Sequence, residues 1–287
     1  VSVVVHVAFG SATLQPVLGI ETEWAGAIDL WVKWLTAAQR PATTIGLRVY
    51  QIQRFALDHP DADPFGLTLD DLIGWLAAFE WKPQTRRSYR SALRVFCAWA
   101  HATGRASANP AALLPAVTPP RGKPRPAPDD VLSQAMTVAT DRVRLMLRLA
   151  AHAGLRRAEI AAVHRDDLEL DADGYMLRVV GKGGTVRLVP VLDDLAMAIR
   201  MSPTGPMFPG RIDGHLSPRR VGELMSEALP GHWTAHTLRH RFASKAYAAE
   251  RDILTVSALL GHASVTTTQI YTAIPSGALR NAVIAAA

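Results

Sequence analysis

Six side chains stand out by type: Arg156, Lys182, His236, Arg239, His262 and Tyr271. Two guanidinium groups, an ammonium, two imidazoles and a phenol make sense together at a phosphodiester. The cations suit its oxygens, the imidazoles carry protons, and the hydroxyl is a nucleophile. Each alone has a plainer reading: a single tyrosine is usually a half-buried packing residue, and a histidine after glycine, as in Gly261-His262, usually caps a helix. It is the set that changes the odds. Two other chemistries fit poorly. His232, His236 and His240 recur at the four-residue spacing of a helical metal site, but Thr237 follows His236 where the zinc motif needs a glutamate, so no metal is expected. The run Gly181-Lys182-Gly183-Gly184 lacks the frame of a nucleotide-binding loop, and its flanks read as a hairpin rather than strand-to-helix.

The elements that must position these groups can be read from the pattern. Asp129 or Asp130 can cap a helix through Ala139, and Arg142 to Ala153 forms another, ended by Gly154. Arg156 then lies at the bend before a helix over Ala158 to Val163. YMLRVVGKGGTVRLVPV reads as two β-branched arms with Lys182 near the tip. Thr234 looks like the cap of a helix on which His236 and Arg239, three apart, share a face. Gly261-His262 ends one further helix, and Ser264 or Thr266 can start the one carrying Tyr271.

The N-terminal half reads as four helices, over Glu23 to Ala38, Thr43 to Leu57, Leu69 to Glu80 and Gln84 to Ala102. The first places Trp24, Ile28, Trp31 and Leu35 on one stripe, and Thr43 or Thr44 is a candidate N-cap for the second. In the fourth, Arg86, Arg90 and Arg94 recur every fourth residue with Arg87 beside them, opposite Tyr89, Leu93, Phe96 and Ala100. No acid lies between Lys82 and Arg105 to pair with them, so Lys82, Arg86, Arg87, Arg90 and Arg94 are expected to meet DNA. Pro115 to Pro128 is proline-dense and carries Arg121, Lys123 and Arg125 without an acid. It should be an extended linker whose cations lie along phosphates.

Composition narrows the class. The chain has 287 residues, 49% hydrophobic and 20% charged, which suits globular domains and not a disordered chain. Lysine and arginine number 31 against 25 acids, and the excess is spread: 13 against 9 in residues 1–128, 18 against 16 in 129–287. Neither half is therefore a basic tail. The single cysteine, Cys97, excludes an internal disulfide framework and a Cys-rich zinc module. No apolar run reaches the length of a spanning helix, and Val1 to Phe9 is short and lacks the basic start of a signal peptide, so a soluble intracellular protein is expected.

Four segments, A-G-L-R-R-A-E at 153–159, G-K-G at 181–183, H-T-L-R-H at 236–240 and L-L-G-H with T-T-Q-I-Y at 259–271, resemble in type and order the motifs of tyrosine recombinases, the family of phage integrases and Xer-type recombinases. The resemblance implies a mainly α fold: a helical core-binding domain, and a mixed α-helical catalytic domain with a small β-hairpin or sheet. It places an N-terminal extension at 1–20, the helical DNA-binding domain at 21–114, the basic linker at 115–128, the catalytic domain at 129–275 and a tail at 276–287. It implies that Arg156 and Arg239 clamp the scissile phosphate and that Tyr271 is the nucleophile of a 3′-phosphotyrosyl intermediate. Lys182 would protonate the leaving 5′-oxygen, His236 would move a proton with the tyrosine, His262 would bond a phosphate oxygen, and Glu159 would hold active-site groups in place. No metal, ATP or other cofactor is implied.

The implied partners are double-stranded DNA attachment or core sites and three further copies of the chain in a synaptic homotetramer, with a monomer in solution. A directionality factor or host protein is a further candidate partner, and no membrane is involved. The implied location is the cytoplasm and nucleoid of a bacterial host. Integration and excision of phage or mobile-element DNA is the leading activity. The alternatives are an Xer-like chromosome dimer resolvase, a type IB topoisomerase and a non-catalytic DNA-binding protein. In the tail, Leu279, Val283 and Ala286 form a short apolar stripe with Ile284 beside it. That stripe needs a groove. The resemblance implies one on the neighbouring protomer of a DNA-bound tetramer, and the alternative is docking on its own catalytic domain.

Overall fold

The computed structural model describes residues 8–9, 12–13, 20–118, 125–261 and 276–286. Arg121, Lys123, His262, Tyr271, the Ser264 and Thr266 helix start and the side chain of Lys182 lie outside the described residues. The chain divides into two compact units, Val1–Gly122 and Lys123–Ala287. Helix makes up 61% of the described residues, in keeping with the mainly α expectation. Among the described residues, no helix is long and apolar enough to cross a membrane.

The first unit begins with two short antiparallel strands, β1 (Ala8–Phe9) and β2 (Ala12–Thr13). Four helices follow: α1 (Thr22–Ala37), α2 (Ala42–Asp58), α3 (Leu69–Ala77) and α4 (Pro83–Ala102). Aromatic side chains at helical spacing build its core. Trp24 and Trp31 of α1 meet Phe96 of α4, stacked at 5.9 Å and edge-on at 5.3 Å between ring centres. Proline suits the first position of α4, where the N–H it lacks would have no acceptor. Pro41, not Thr43 or Thr44, is the N-cap of α2. Its extended backbone turns the chain into the helix, leaving both threonines within the first turn.

In the second unit α5 (Asp129–Val138) and α6 (Asp141–His152) precede the short α7 (Arg157–Ala162). Pro128 caps α5 instead of Asp129 or Asp130, and the Asp129 carboxylate instead accepts from Arg241 Nε at 2.8 Å and pairs with Lys245 at 3.0 Å. The expected two-stranded hairpin is a three-stranded antiparallel sheet of β3 (Leu168–Asp171), β4 (Gly174–Val180) and β5 (Val186–Pro190), in that order. The extra strand, LELD, has no β-branched residue and is largely exposed, so only pairing with β4 holds it extended. Lys182–Gly184 is a single 3-10 turn between β4 and β5, with Gly183 and Gly184 both at φ 78°.

The unit closes with α8 (Asp193–Arg200), β6 (Pro209–Ile212), α9 (Pro218–Ala228), α10 (Ala235–Glu250), α11 (Ile253–Leu260) and α12 (Ser276–Ala286). Gly277 lies in the first turn of α12, where N–H groups need no intrahelical acceptor. α12 packs against α10 of its own unit, burying Val283 and Ala286.

Candidate active site

The bend after α6 sets the first arginine. Gly154 has φ +65°, and a Cβ there would lie 2.5 Å from Phe242 of α10, so glycine answers both a backbone and a packing demand. The chain reverses over it, and Leu155 N–H donates to Leu149 O at 3.1 Å. Arg156 thereby becomes the N-cap of α7, with an extended backbone and its side chain 39% exposed. Its backbone N–H and its Nη1 both donate to the Glu159 carboxylate, each at 2.8 Å.

Arg239 approaches from α10. It is 4% exposed and donates from Nη1 to Gly154 O and from Nη2 to Leu260 O, the latter at 2.6 Å. Burial, and then the neighbouring Arg156, pull its pKa down to about 9, against the opposing pull of Glu159. The guanidinium stays charged at neutral pH. Burial pushes the Glu159 carboxyl up, yet hydrogen bonds from Arg187 and Arg156 outweigh it and hold the group below the ordinary glutamate range. Glu159 is thus an ionised acid among three arginines.

Thr234 is the N-cap of α10, as the spacing predicts, and its N–H donates to Thr237 Oγ1 at 3.0 Å. His236 follows in the first turn. Burial, then His240, Arg239 and Arg156, lower its pKa, which keeps the imidazole neutral and able to take a proton. The His236 and His240 rings meet edge-on at 4.4 Å, whereas His232 precedes the helix and stacks on Trp233. No group of three metal-binding side chains occurs among the described residues. Arg156, Arg239, His236, Arg157 and Thr234 line a cleft of about 720 Å³, whose other wall includes Arg219 of α9. The structure therefore brings together Arg156, Glu159, His236 and Arg239, and sets the turn holding Lys182 between the two strands of the hairpin.

Sequence reasoning missed Arg187. On β5 it pairs in register with the buried Val179 of β4, and it lies two residues before the buried Val189. A charge at an inward position of an alternating strand is the signal that could have found it. The DNA-binding expectations divide. Lys82, Arg87 and Arg94 are exposed. Arg86 and Arg90 are partly buried and donate to Phe79 O at 2.7 Å and Leu114 O at 2.6 Å, so the expected file of free guanidiniums on α4 is broken. Arg125 stacks over the Trp233 ring at 4.6 Å.

Residues 128–276 match the phage integrase family. The chain belongs to that family. Among its relatives, tyrosine recombinase XerC of Xanthomonas campestris pv. campestris (strain B100) is 36% identical over 207 residues, covering 66% of this chain and 64% of that protein. The chain thus spans 64% of the length of that relative. The integrase from mycobacterium phage Brujita is 28% identical with a TM-score of 0.50, covering 90% of this chain and 91% of that one. A lambda integrase dimer bound to a COC' core site has the same fold at 21% identity, with a TM-score of 0.66 over 84% of this chain and 74% of that one.

Proposed function

We propose that this phage integrase family chain is a site-specific DNA recombinase that breaks and rejoins DNA through Tyr271. The observation that carries the reading is the convergence of Arg156 and Arg239 on one cleft beside a neutral His236. Two fixed positive forks offset the charge that gathers on the nonbridging oxygens as phosphorus becomes five-coordinate. Glu159 neutralises part of the surrounding charge without entering the cleft. His236 takes the proton of the Tyr271 hydroxyl as its oxygen attacks phosphorus. Lys182 gives a proton to the departing 5′-oxygen, and His262 donates to a phosphate oxygen. A 5′-hydroxyl of the partner strand then attacks the phosphotyrosine and releases the enzyme. The ester energy stays in the covalent link, so the balance requires no nucleotide.

In this reading residues 21–114 grip the DNA core site through Lys82, Arg87 and Arg94, aided by the linker cations. The chain is a monomer in solution and a homotetramer on paired sites. A lambda integrase tetramer bound to a Holliday junction, alike in fold, supports that assembly. The Brujita phage integrase, matched along nine-tenths of both chains, supports integration as the biological role, and the XerC relative, more alike in sequence, supports the Xer-like alternative.

Incubating the full chain with nicked duplexes from its flanking genomic DNA tests the proposal. The expected product is a protease-sensitive protein–DNA adduct on a 3′-phosphate. Tyr271→Phe should abolish it while leaving DNA binding intact, because only the nucleophilic oxygen is lost. An adduct from the phenylalanine variant would assign the nucleophile elsewhere. General relaxation of supercoiled DNA lacking the site would favour a type IB topoisomerase.

A further inference from the structure

Arg187 has no part in the steps above, yet from the strand after the Lys182 turn it bonds two other motif segments. Its Nη1 and Nη2 donate to Glu159 Oε1 and Oε2 at 2.9 and 2.8 Å. Its Nε donates to Leu259 O at 2.9 Å. Leu259, Leu260 and Gly261 are consecutive at the C-terminal end of α11, and each of their carbonyls accepts from a different arginine. Leu259 O takes Arg187, Leu260 O takes Arg239 at 2.6 Å, and Gly261 O takes Arg156 at 3.4 Å. These carbonyls have no partner within the helix and form the negative end of its dipole. Glu159 forms the other side of the same cluster. It accepts from Arg187 and Arg156 and lies 3.7 Å from Arg239 Nη1.

The Arg187 side chain is only 12% exposed, against 39% for Arg156, so it stands behind the clamp. Space around it is tight. A Cβ on Gly261 would come within 3.0 Å of its Cδ and Nη1, and Gly261 itself sits at φ +58°. One planar guanidinium spans a carboxylate and a backbone carbonyl at once, which a lysine ammonium on its single point of charge cannot reproduce.

We infer that Arg187 is a positioning residue for strand cleavage. Through Glu159 and the end of α11 it fixes the spacing of Arg156 and Arg239, and it ties the hairpin bearing Lys182 to that clamp. The inference rests on the recombinase reading. A loss of registry on the order of 1 Å at a reacting centre costs roughly 100-fold in rate.

Adduct formation by the full chain at saturating DNA is the measurement, with DNA affinity and Tm recorded for each variant. Arg187→Met should cleave about 100-fold more slowly, with affinity changed less than about threefold. Arg187→Lys, which keeps the charge and one hydrogen bond, should recover about tenfold of that loss. Added to Glu159→Gln, Arg187→Met should cost less than a further threefold or so, because both substitutions break one network. Wild-type cleavage by Arg187→Met overturns the inference, and so does a full loss on top of Glu159→Gln. If the methionine variant is unfolded, a folded lysine variant decides: slowed cleavage supports the role and wild-type cleavage overturns it. A wild-type chain that forms no adduct overturns the recombinase reading itself, which keeps the two failures distinguishable.

Discussion

In the proposed cleavage, His236 is the described residue whose protonation state bears most directly on the rate. Burial is the first cause of its lowered pKa, and His240, its edge-on neighbour, is the second. A base must be neutral to act, so cleavage should rise with pH along a limb lying below the ordinary imidazole value and then level off. His240→Gln removes one source of positive charge, so the His236 pKa should rise and the limb should move toward higher pH. A pH–rate profile at saturating DNA checks this, and an unmoved limb would assign it to another group. His236, Arg156 and Arg239 were legible because motif and spacing named them. Arg187 was not, because its meaning lies in Glu159, 28 residues away in the chain.

Among elements, α4 is where pattern and structure part. Periodicity placed Arg86, Arg90 and Arg94 on one face, and the helix does present that face. Two of the three guanidiniums fold back onto backbone carbonyls and line an apolar cavity of about 410 Å³ with Ile73, Leu76, Trp81 and Leu114. Their Nε atoms are buried without a partner. The salt dependence of DNA binding should therefore follow Arg87 and Arg94, each alanine substitution reducing the slope by about one unit. Arg86→Ala or Arg90→Ala should instead lower stability, by about 1 to 2 kcal/mol each, through the lost charge-assisted hydrogen bond. Binding titrations at several salt concentrations, paired with urea unfolding, separate the two pairs. A steeper loss of slope from Arg86 and Arg90 would return them to the DNA face.

The second unit is fastened as a whole around Arg241 of α10. This guanidinium, 5% exposed, donates to Asp129 at the start of α5, to Ala151 O at the end of α6 and to Ala286 O at the end of α12. His152 lies in the same region with its Nδ1 buried and unpaired, and burial, then Arg241 and Arg148, push its pKa down to about 4. Because the folded value is depressed from 6.5, its contribution is fully present above pH 6.5 and is lost as pH falls toward 4. The unit should lose up to about 2 kcal/mol between pH 6.5 and 5 from this group. His152→Gln should flatten that dependence, read from amide exchange in α6 and α10. An unchanged slope would place the acid sensitivity elsewhere.

The sequence by itself determined what is local or periodic. The Gly154 reversal, the Thr234 cap, the Lys182 turn and the aromatic stripe of α1 follow from backbone preference and helical spacing, which act over a few residues. The family motifs named the candidate reacting groups. Tertiary structure decided what depends on partners distant in the chain. LELD becomes a strand only through pairing with β4, and Asp129 is drawn from capping by Arg241 and Lys245. Arg86 and Arg90 turn inward because carbonyls wait there, and the tail buries Val283 against its own unit. A buried charge must find its counter-charge or its carbonyl, and only the folded chain brings Arg187, Glu159 and the end of α11 within reach of one another.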